Sequence, residues 1–200
     1  MAVLISGSGS NLQAILDARA NDPNFPAEPV LVVSDRPGAD GMFRATTAGI
    51  TADVVDWSDY PDRESFTTAI CDLLDRHRVE LVVLAGFMRI LSDEAVRRFP
   101  NAIVNVHPAL LPAFPGARAV EEALAYGVKT TGVTVHFVDE HVDHGPIIAQ
   151  EPVTIMAADT VETLHRRIQT IEHRLYPKCV AAAAAGRLRV QGRSVIWDER

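Results

Sequence analysis

The sequence predicts an α/β fold: a single domain on a mostly parallel twisted sheet, Rossmann-like in its N-terminal half, with helices on both faces and an antiparallel C-terminal extension. Three observations carry this. Val30-Leu31-Val32-Val33 and the stretch Glu80–Ala85 are nearly apolar throughout, as strands covered on both faces by helices are. Such runs alternate with helical periodicity up to about residue 106. Beyond it, Val133–Val138 alternates apolar and polar residues, the pattern of an antiparallel strand.

Val3-Leu4-Ile5 is the first strand. The loop Ser6–Asn11 follows, and a helix begins at Leu12, with Leu12, Ile15 and Leu16 on one face. The second strand, Val30–Val33, ends in the turn signal Ser34-Asp35-Arg36-Pro37-Gly38. Thr51–Val55 reads as a third strand, followed by an amphipathic helix over about 61–77. Glu80–Ala85 and Ala102–Val106 are the fourth and fifth strands. Residues 107–117 carry three prolines and a glycine and form a loop. Val133–Val138 and Ile147–Ile155 pair through Asp139–Pro146. A long helix covers about 159–185, ended by Gly186 in the C′ position, and a small hairpin turns around Gln191-Gly192.

The chain has 200 residues, comfortable for one such domain and tight for two. Its net charge is −7 with no basic stripe, which argues against a nucleic-acid partner. No segment approaches the roughly 18 apolar residues of a membrane span. Cys71 and Cys179 sit in apolar, helix-like stretches; buried free thiols are expected, and a cytoplasmic location with them.

Glycines between a strand and a helix let backbone N–H groups face an anion, helped by the helix dipole. Ser6-Gly7-Ser8-Gly9-Ser10-Asn11 is so placed. Three readings are open from the residues: a small substrate's phosphate, a dinucleotide, or a plain turn. Asp35 after the second strand suits a dinucleotide's ribose, but Leu12 stands where that motif needs its third glycine.

Asn105 and His107 are two apart where the fifth strand runs out, so both point to one face at the carboxyl edge of the sheet. An amide and an imidazole there suit a developing oxyanion. Asp143, in the later loop, would orient His107 and favour its charged form. Ordinary turn chemistry is the competing reading. A metal site from His136, His141, Asp143 and His144, joined by His107, is another, but the spacing matches no zinc motif.

In order and spacing, several stretches resemble the folate-dependent formyltransferases that act on glycinamide ribonucleotide. These are Ile5–Ala14, Leu84–Leu91, Asn105-Val106-His107-Pro108-Ala109-Leu110-Leu111-Pro112, Gly132–Val138, Val142–Ile148 and Gln169-Thr170-Ile171-Glu172-His173. The resemblance runs nearly end to end. It implies transfer of the formyl group of 10-formyltetrahydrofolate, a cosubstrate, to the amine of 5-phosphoribosylglycinamide in de novo purine biosynthesis. No metal is implied, and a monomer or homodimer is expected. Asn105, His107 and Asp143 match the catalytic trio, with Asp143 raising the pKa of His107. Gly9, Ser10 and Asn11 match the phosphate loop, and Gln169 and Glu172 match further ribonucleotide contacts. Arg63 and Met88, Arg89, Ile90 and Leu91 match folate contacts, as does Asn105. About 1–100 is then the phosphate-binding half and about 101–200 the catalytic and folate-binding half.

Four positions depart from the family pattern: Ala109, Ala113, Arg118 and His144, the last replacing a small residue beside Asp143. Three rival readings stand beside this one. A 10-formyltetrahydrofolate hydrolase would use the same trio with water as acceptor; its extra N-terminal domain is not expected where a strand starts near residue 2. A methionyl-tRNA formyltransferase would need a basic RNA-binding domain. A non-catalytic nucleotide-binding module is suggested by the glycine loop and Asp35 alone.

Overall fold

A computed structural model describes residues 1–198. In chain order the elements are β1 (Ala2–Ile5), α1 (Ser10–Asn21), β2 (Leu31–Ser34), α2 (Asp40–Thr47), β3 (Thr51–Val54), α3 (Arg63–Arg76), β4 (Val82–Leu84), α4 (Asp93–Arg98) and β5 (Ile103–His107). Then come α5 (Ala119–Tyr126), β6 (Thr130–Phe137), β7 (Ile147–Thr154), α6 (Val161–Ala184), β8 (Leu188–Gln191) and β9 (Ser194–Trp197). These strands join one sheet, ordered β3-β2-β1-β4-β5-β6-β7-β9-β8. The first five are parallel. β6 runs antiparallel to β5 and β7, and the β8–β9 hairpin attaches to β7 through a parallel pairing of Ile147 with Ser194.

The apolar strands are buried as their composition demands. Successive side chains of β1 enter opposite layers: Val3 and Ile5 join the core under α1 and α6, while Ala2 and Leu4 join the core under α3. β3 differs. It lies at the sheet edge with Thr51 and Val54 exposed, because one neighbour and partial helix cover leave it half in water. α2, α4 and α5 have only eight, six and eight residues. That is shorter than the window over which helical periodicity registers, so the sequence pattern does not separate them from loops. α1 starts two residues before its apolar stripe, since its first turn is the polar Ser10-Asn11.

α6 opens with a Thr160–Thr163 capping box. Past its end, Gly186 adopts a φ of 64°, as the C′ position requires. On its inner face the buried Tyr176 hydroxyl lies 2.9 Å from the carbonyls of Leu84 and Val104. This fixes the long helix over the carboxyl ends of β4 and β5. Strand order reverses between β1 and β4, and ligands bind at such a switch point, outside the carboxyl ends of the strands.

Candidate active site

The loop after β1 is shaped by backbone approach. Gly9 has a φ of 69°, and a Cβ there would stand 2.6 Å from the Cα of Gly41 in α2, so only glycine lets the two segments touch. Arg44 Nε donates to the Ser8 carbonyl at 2.8 Å, and Ser6 Oγ accepts from Met88 N at 2.7 Å. The loop is therefore tied to α2 and to the segment after β4. α1 has no side-chain cap and no acidic residue in its first turn. Its leading N–H groups are thus left for another acceptor. Asn11 is buried; its Nδ2 donates to Glu172 Oε2 of α6 at 2.9 Å, while its Oδ1 has no partner among the described residues. Gln169 lies one turn before Glu172 and is half-buried.

After β4, Phe87 is buried but Met88 and Ile90 are 62% and 55% exposed. Two large apolar side chains thus stand uncovered just after β4, while Leu91 packs partly into the core. Arg89 braces this segment: its Nε is 2.7 Å from Asp35 Oδ2, and its guanidinium lies 5.1 Å from the Trp57 ring centre. Asp35 is 1% exposed, so the acid that a dinucleotide would need is already held by Arg89. Arg63 opens α3, exposed and 3.3 Å from Glu64.

Asn105 and His107 lie two apart at the carboxyl end of β5, on one face of the strand. Across the ladder they pair with His136 and Thr134 of β6. Thr134 Oγ1 donates to the Ala109 carbonyl at 2.6 Å and accepts from Leu111 N at 3.0 Å, which pins the loop after β5. Asp143 occupies the β6–β7 turn with a φ of 51°. Two residues on, Gly145 sits against the Phe137 carbonyl, which a Cβ would approach to 1.9 Å.

The structure brings the trio together. Asp143 Oδ2 lies 3.3 Å from His107 Nδ1 and accepts from Gly116 N at 2.7 Å. Its Oδ1 lies 3.5 Å from Asn105 Nδ2. The other edge of the imidazole, Nε2, donates to the Phe114 carbonyl at 2.8 Å. Both ring nitrogens of His107 therefore face acceptors.

A fourth residue joins them, one that the sequence marks only as an alternating strand position or a metal ligand. His136 is buried, with Nδ1 2.8 Å from the Phe137 carbonyl and Nε2 between Asn105 Nδ2 at 3.2 Å and Asp143 Oδ1 at 3.7 Å. Its signal is the register itself: pairing β6 antiparallel to β5 sets His136 opposite Asn105.

Burial pushes the His107 imidazole below the ordinary histidine value. The Asp143 carboxylate, the Phe114 carbonyl and Glu172 pull it back up in part. Asp143 thus acts in the expected direction, but desolvation outweighs it. For Asp143 burial pushes upward, and the His136 ring, the Gly116 N–H and His107 overcome it, leaving the carboxyl below its ordinary range.

The histidines and acids of the 136–144 region separate into two groups. Asp143 belongs to the trio and His136 sits against it. His144 turns away, more than half exposed, with Nδ1 2.6 Å from Asp139 Oδ2 and its carbonyl accepting from Arg193 Nη2 at 2.5 Å. Arg118 is exposed, 4.0 Å from Glu122. Cys71 and Cys179 are free and buried; burial pushes their thiols to about 11 and about 12, which leaves them un-ionised at neutral pH. Among the described residues no helix is long and apolar enough to cross a membrane.

A family model described as formyl transferase matches residues 1–180. The phosphoribosylglycinamide formyltransferase of Mycobacterium tuberculosis is 46% identical over the whole chain and 92% of its own length. The trifunctional purine biosynthetic protein adenosine-3 of Gallus gallus is 45% identical over 98% of this chain, which spans only 20% of that protein's length. The crystal structure of glycinamide ribonucleotide transformylase 1 from Symbiobacterium toebii superposes with a TM-score of 0.95 at 48% identity, covering 99% of this chain and 93% of that one. A formyltetrahydrofolate deformylase from Pseudomonas syringae is more distant, at 27% identity and a TM-score of 0.88, covering 99% of this chain and 65% of that one. By sequence and by fold, the chain belongs to the formyl transferase family.

Proposed function

We propose that this chain transfers the formyl group of 10-formyltetrahydrofolate to the amine of 5-phosphoribosylglycinamide, giving formylglycinamide ribonucleotide and tetrahydrofolate. The observation that carries the reading is the single carboxylate, Asp143, set against both His107 and Asn105 at the carboxyl edge of the sheet. The uncapped start of α1, with Gly9, Ser10 and Asn11, takes the ribonucleotide phosphate. Glu172 and Gln169 reach the same substrate from α6, and the unpartnered Asn11 Oδ1 accepts a donor from it. Met88, Ile90 and Leu91 form an apolar wall for the flat pterin, with Asn105 at its inner end and Arg63 at its outer end. Arg89 supports that wall through Asp35. The phosphate loop then lies in about 1–100 and the catalytic trio in about 101–200, with contacts to both substrates drawn from each half, and the Asn11–Glu172 bond joins them.

The amine lone pair attacks the formyl carbon, and the carbonyl electrons move onto oxygen. Asn105 Nδ2 and His107 Nε2 donate to that oxyanion, in the place where Nε2 now meets the Phe114 carbonyl. One such donor is worth about 10²–10³ in rate. In the free protein burial pushes His107 toward its neutral form. Once the oxyanion forms, those two donors hold it while the proton lost by the attacking amine leaves through solvent in the site, since Nε2 already gives its hydrogen to the oxyanion and Nδ1 faces Asp143. Stabilisation of this kind appears only along the reaction path, which is what accelerates it. Collapse restores the carbonyl, breaks the bond to the folate nitrogen and delivers the proton there. The formyl group is already activated on that nitrogen, so these side chains suffice for the step.

A hydrolase would use the same trio with water. The uncapped start of α1 favours an anionic second substrate instead. The named parts of the site come from one chain, so a monomer or a homodimer carries the reaction equally, and the two buried thiols suit the reducing cytoplasm. The test is to mix the protein with 10-formyltetrahydrofolate, with and without the ribonucleotide. Tetrahydrofolate should form only when the amine is present; equal release without it would assign the chain to hydrolysis.

A further inference from the structure

The β6–β7 turn carries a second cluster, outside the trio. Asp139, His141 and His144 each present a ligand atom, and all three lie within 4.8 Å of one another. The His141 and His144 rings are 5.2 Å apart, centre to centre. Asp139 Oδ1 is already engaged by His141 N at 3.0 Å, which turns Oδ2 toward His144 Nδ1 at 2.6 Å. The carboxylate is therefore oriented by its own turn, as outer contacts orient ligands in metal sites. Both histidines are exposed, so an ion has open access.

We propose that Asp139, His141 and His144 bind one divalent transition-metal ion of the Zn²⁺ type, and that its occupation slows turnover by stiffening the turn that holds Asp143. Two imidazoles and one carboxylate suit such an ion and leave its fourth position to water. This role is separate from the formyl transfer, which uses other residues. Tetrahedral coordination at about 2.0–2.1 Å sets neighbouring ligand atoms about 3.3 Å apart, inside the 4.8 Å that now encloses the three. Small side-chain adjustments reach it. Binding then fixes both flanks of Asp143, whose φ of 51° and whose place beside His107 depend on that backbone. Arg193, from the β8–β9 hairpin, sets a limit on affinity: its Nη1 lies 3.3 Å from both ring nitrogens of His144, a positive charge beside the incoming ion. The site is therefore suited to reversible occupation.

The test is titration of the whole chain with Co²⁺, followed by its visible absorption, with Zn²⁺ as competitor. We expect a tetrahedral spectrum saturating at one equivalent, bleached by Zn²⁺. His141→Ala and His144→Ala should each weaken binding about 100-fold, at least the cost of losing an outer contact, and Arg193→Ala should tighten it. Zn²⁺ should lower turnover of the wild type but not of the two histidine variants, each compared with its own metal-free rate. The turnover arm rests on the formyl-transfer reading; the spectroscopic arm does not, so the two fail separately. Absence of a tetrahedral spectrum at about 100 μM metal, well above ordinary free zinc-site needs, would overturn the site. Histidine variants that bind as the wild type would do so too. Unchanged wild-type turnover with the site saturated would overturn the coupling.

Discussion

Asp143 stands 3.3 Å from His107, carboxylate oxygen to Nδ1, while the Gly116 N–H holds that same oxygen at 2.7 Å. Asp143→Asn keeps the shape and an acceptor for Gly116 but removes the charge that faces His107 Nδ1 and orients the ring. Turnover should fall about 100-fold or more, with the ribonucleotide KM little changed. Steady-state kinetics at saturating folate measure this, and a fall confined to KM would speak for a binding role.

The direction of the His107 shift gives a second prediction. Burial holds its folded value below the ordinary 6.5, so the unfolded chain takes up this proton first as pH drops. The contribution to stability is therefore full above about 6.5 and shrinks as pH falls from there toward the folded value. NMR titration of the His107 ring in the free protein should show a midpoint below 6.5. Asp143→Asn should lower it further, since that charge pulls upward. A midpoint above 6.5 in the free wild type would mean that Asp143, not desolvation, dominates.

Much of this site is legible in the sequence. Asn105 and His107 share a face because strand side chains alternate, whereas Asp143 joins them there by family resemblance alone. The parallel sheet follows from strands apolar on both faces. The role of His136 is not legible, because its meaning lies in a cross-strand register that depends on how β5 and β6 pair and not on local pattern. The Arg89–Asp35 ion pair joins residues 54 apart that arrive from neighbouring loops. α2, α4 and α5 are too short to show a period. His144, an open question in sequence, turns outward because Asp139 and Arg193 hold it there.

Glu172 and Asn11 meet 161 residues apart in sequence, and the proposed function sets both against the ribonucleotide. Glu172→Ala should raise the ribonucleotide KM about tenfold or more, since hydrogen bonds to charged groups contribute about 1.5–3 kcal/mol. The folate KM should move much less. Equal effects on both substrates would place Glu172 outside the ribonucleotide region.

Gly9→Ala forces a side chain onto a φ of 69° and against Gly41. The left-handed backbone alone costs about 1–2 kcal/mol, so the melting temperature should drop, and the loop's shift should weaken ribonucleotide binding. Calorimetric unfolding with and without ribonucleotide separates the two effects. A variant as stable as the wild type would show that the loop tolerates a second backbone arrangement.

Tyr176→Phe removes the hydroxyl shared by the Leu84 and Val104 carbonyls. Chemical denaturation should show a loss of about 1–3 kcal/mol, the cost of leaving buried acceptors unpaired. A neutral result would show that other donors satisfy those carbonyls.

His107 either takes part in the chemistry with Asn105 and Asp143 or only shapes the loop through the Phe114 carbonyl. Single-turnover formyl transfer by His107→Gln, with both substrates bound to saturation, separates these roles. A chemical role requires a rate about 10²–10³ below the wild type with substrate affinities largely kept. Near wild-type transfer by that variant would leave His107 a structural residue and contradict the proposed reaction.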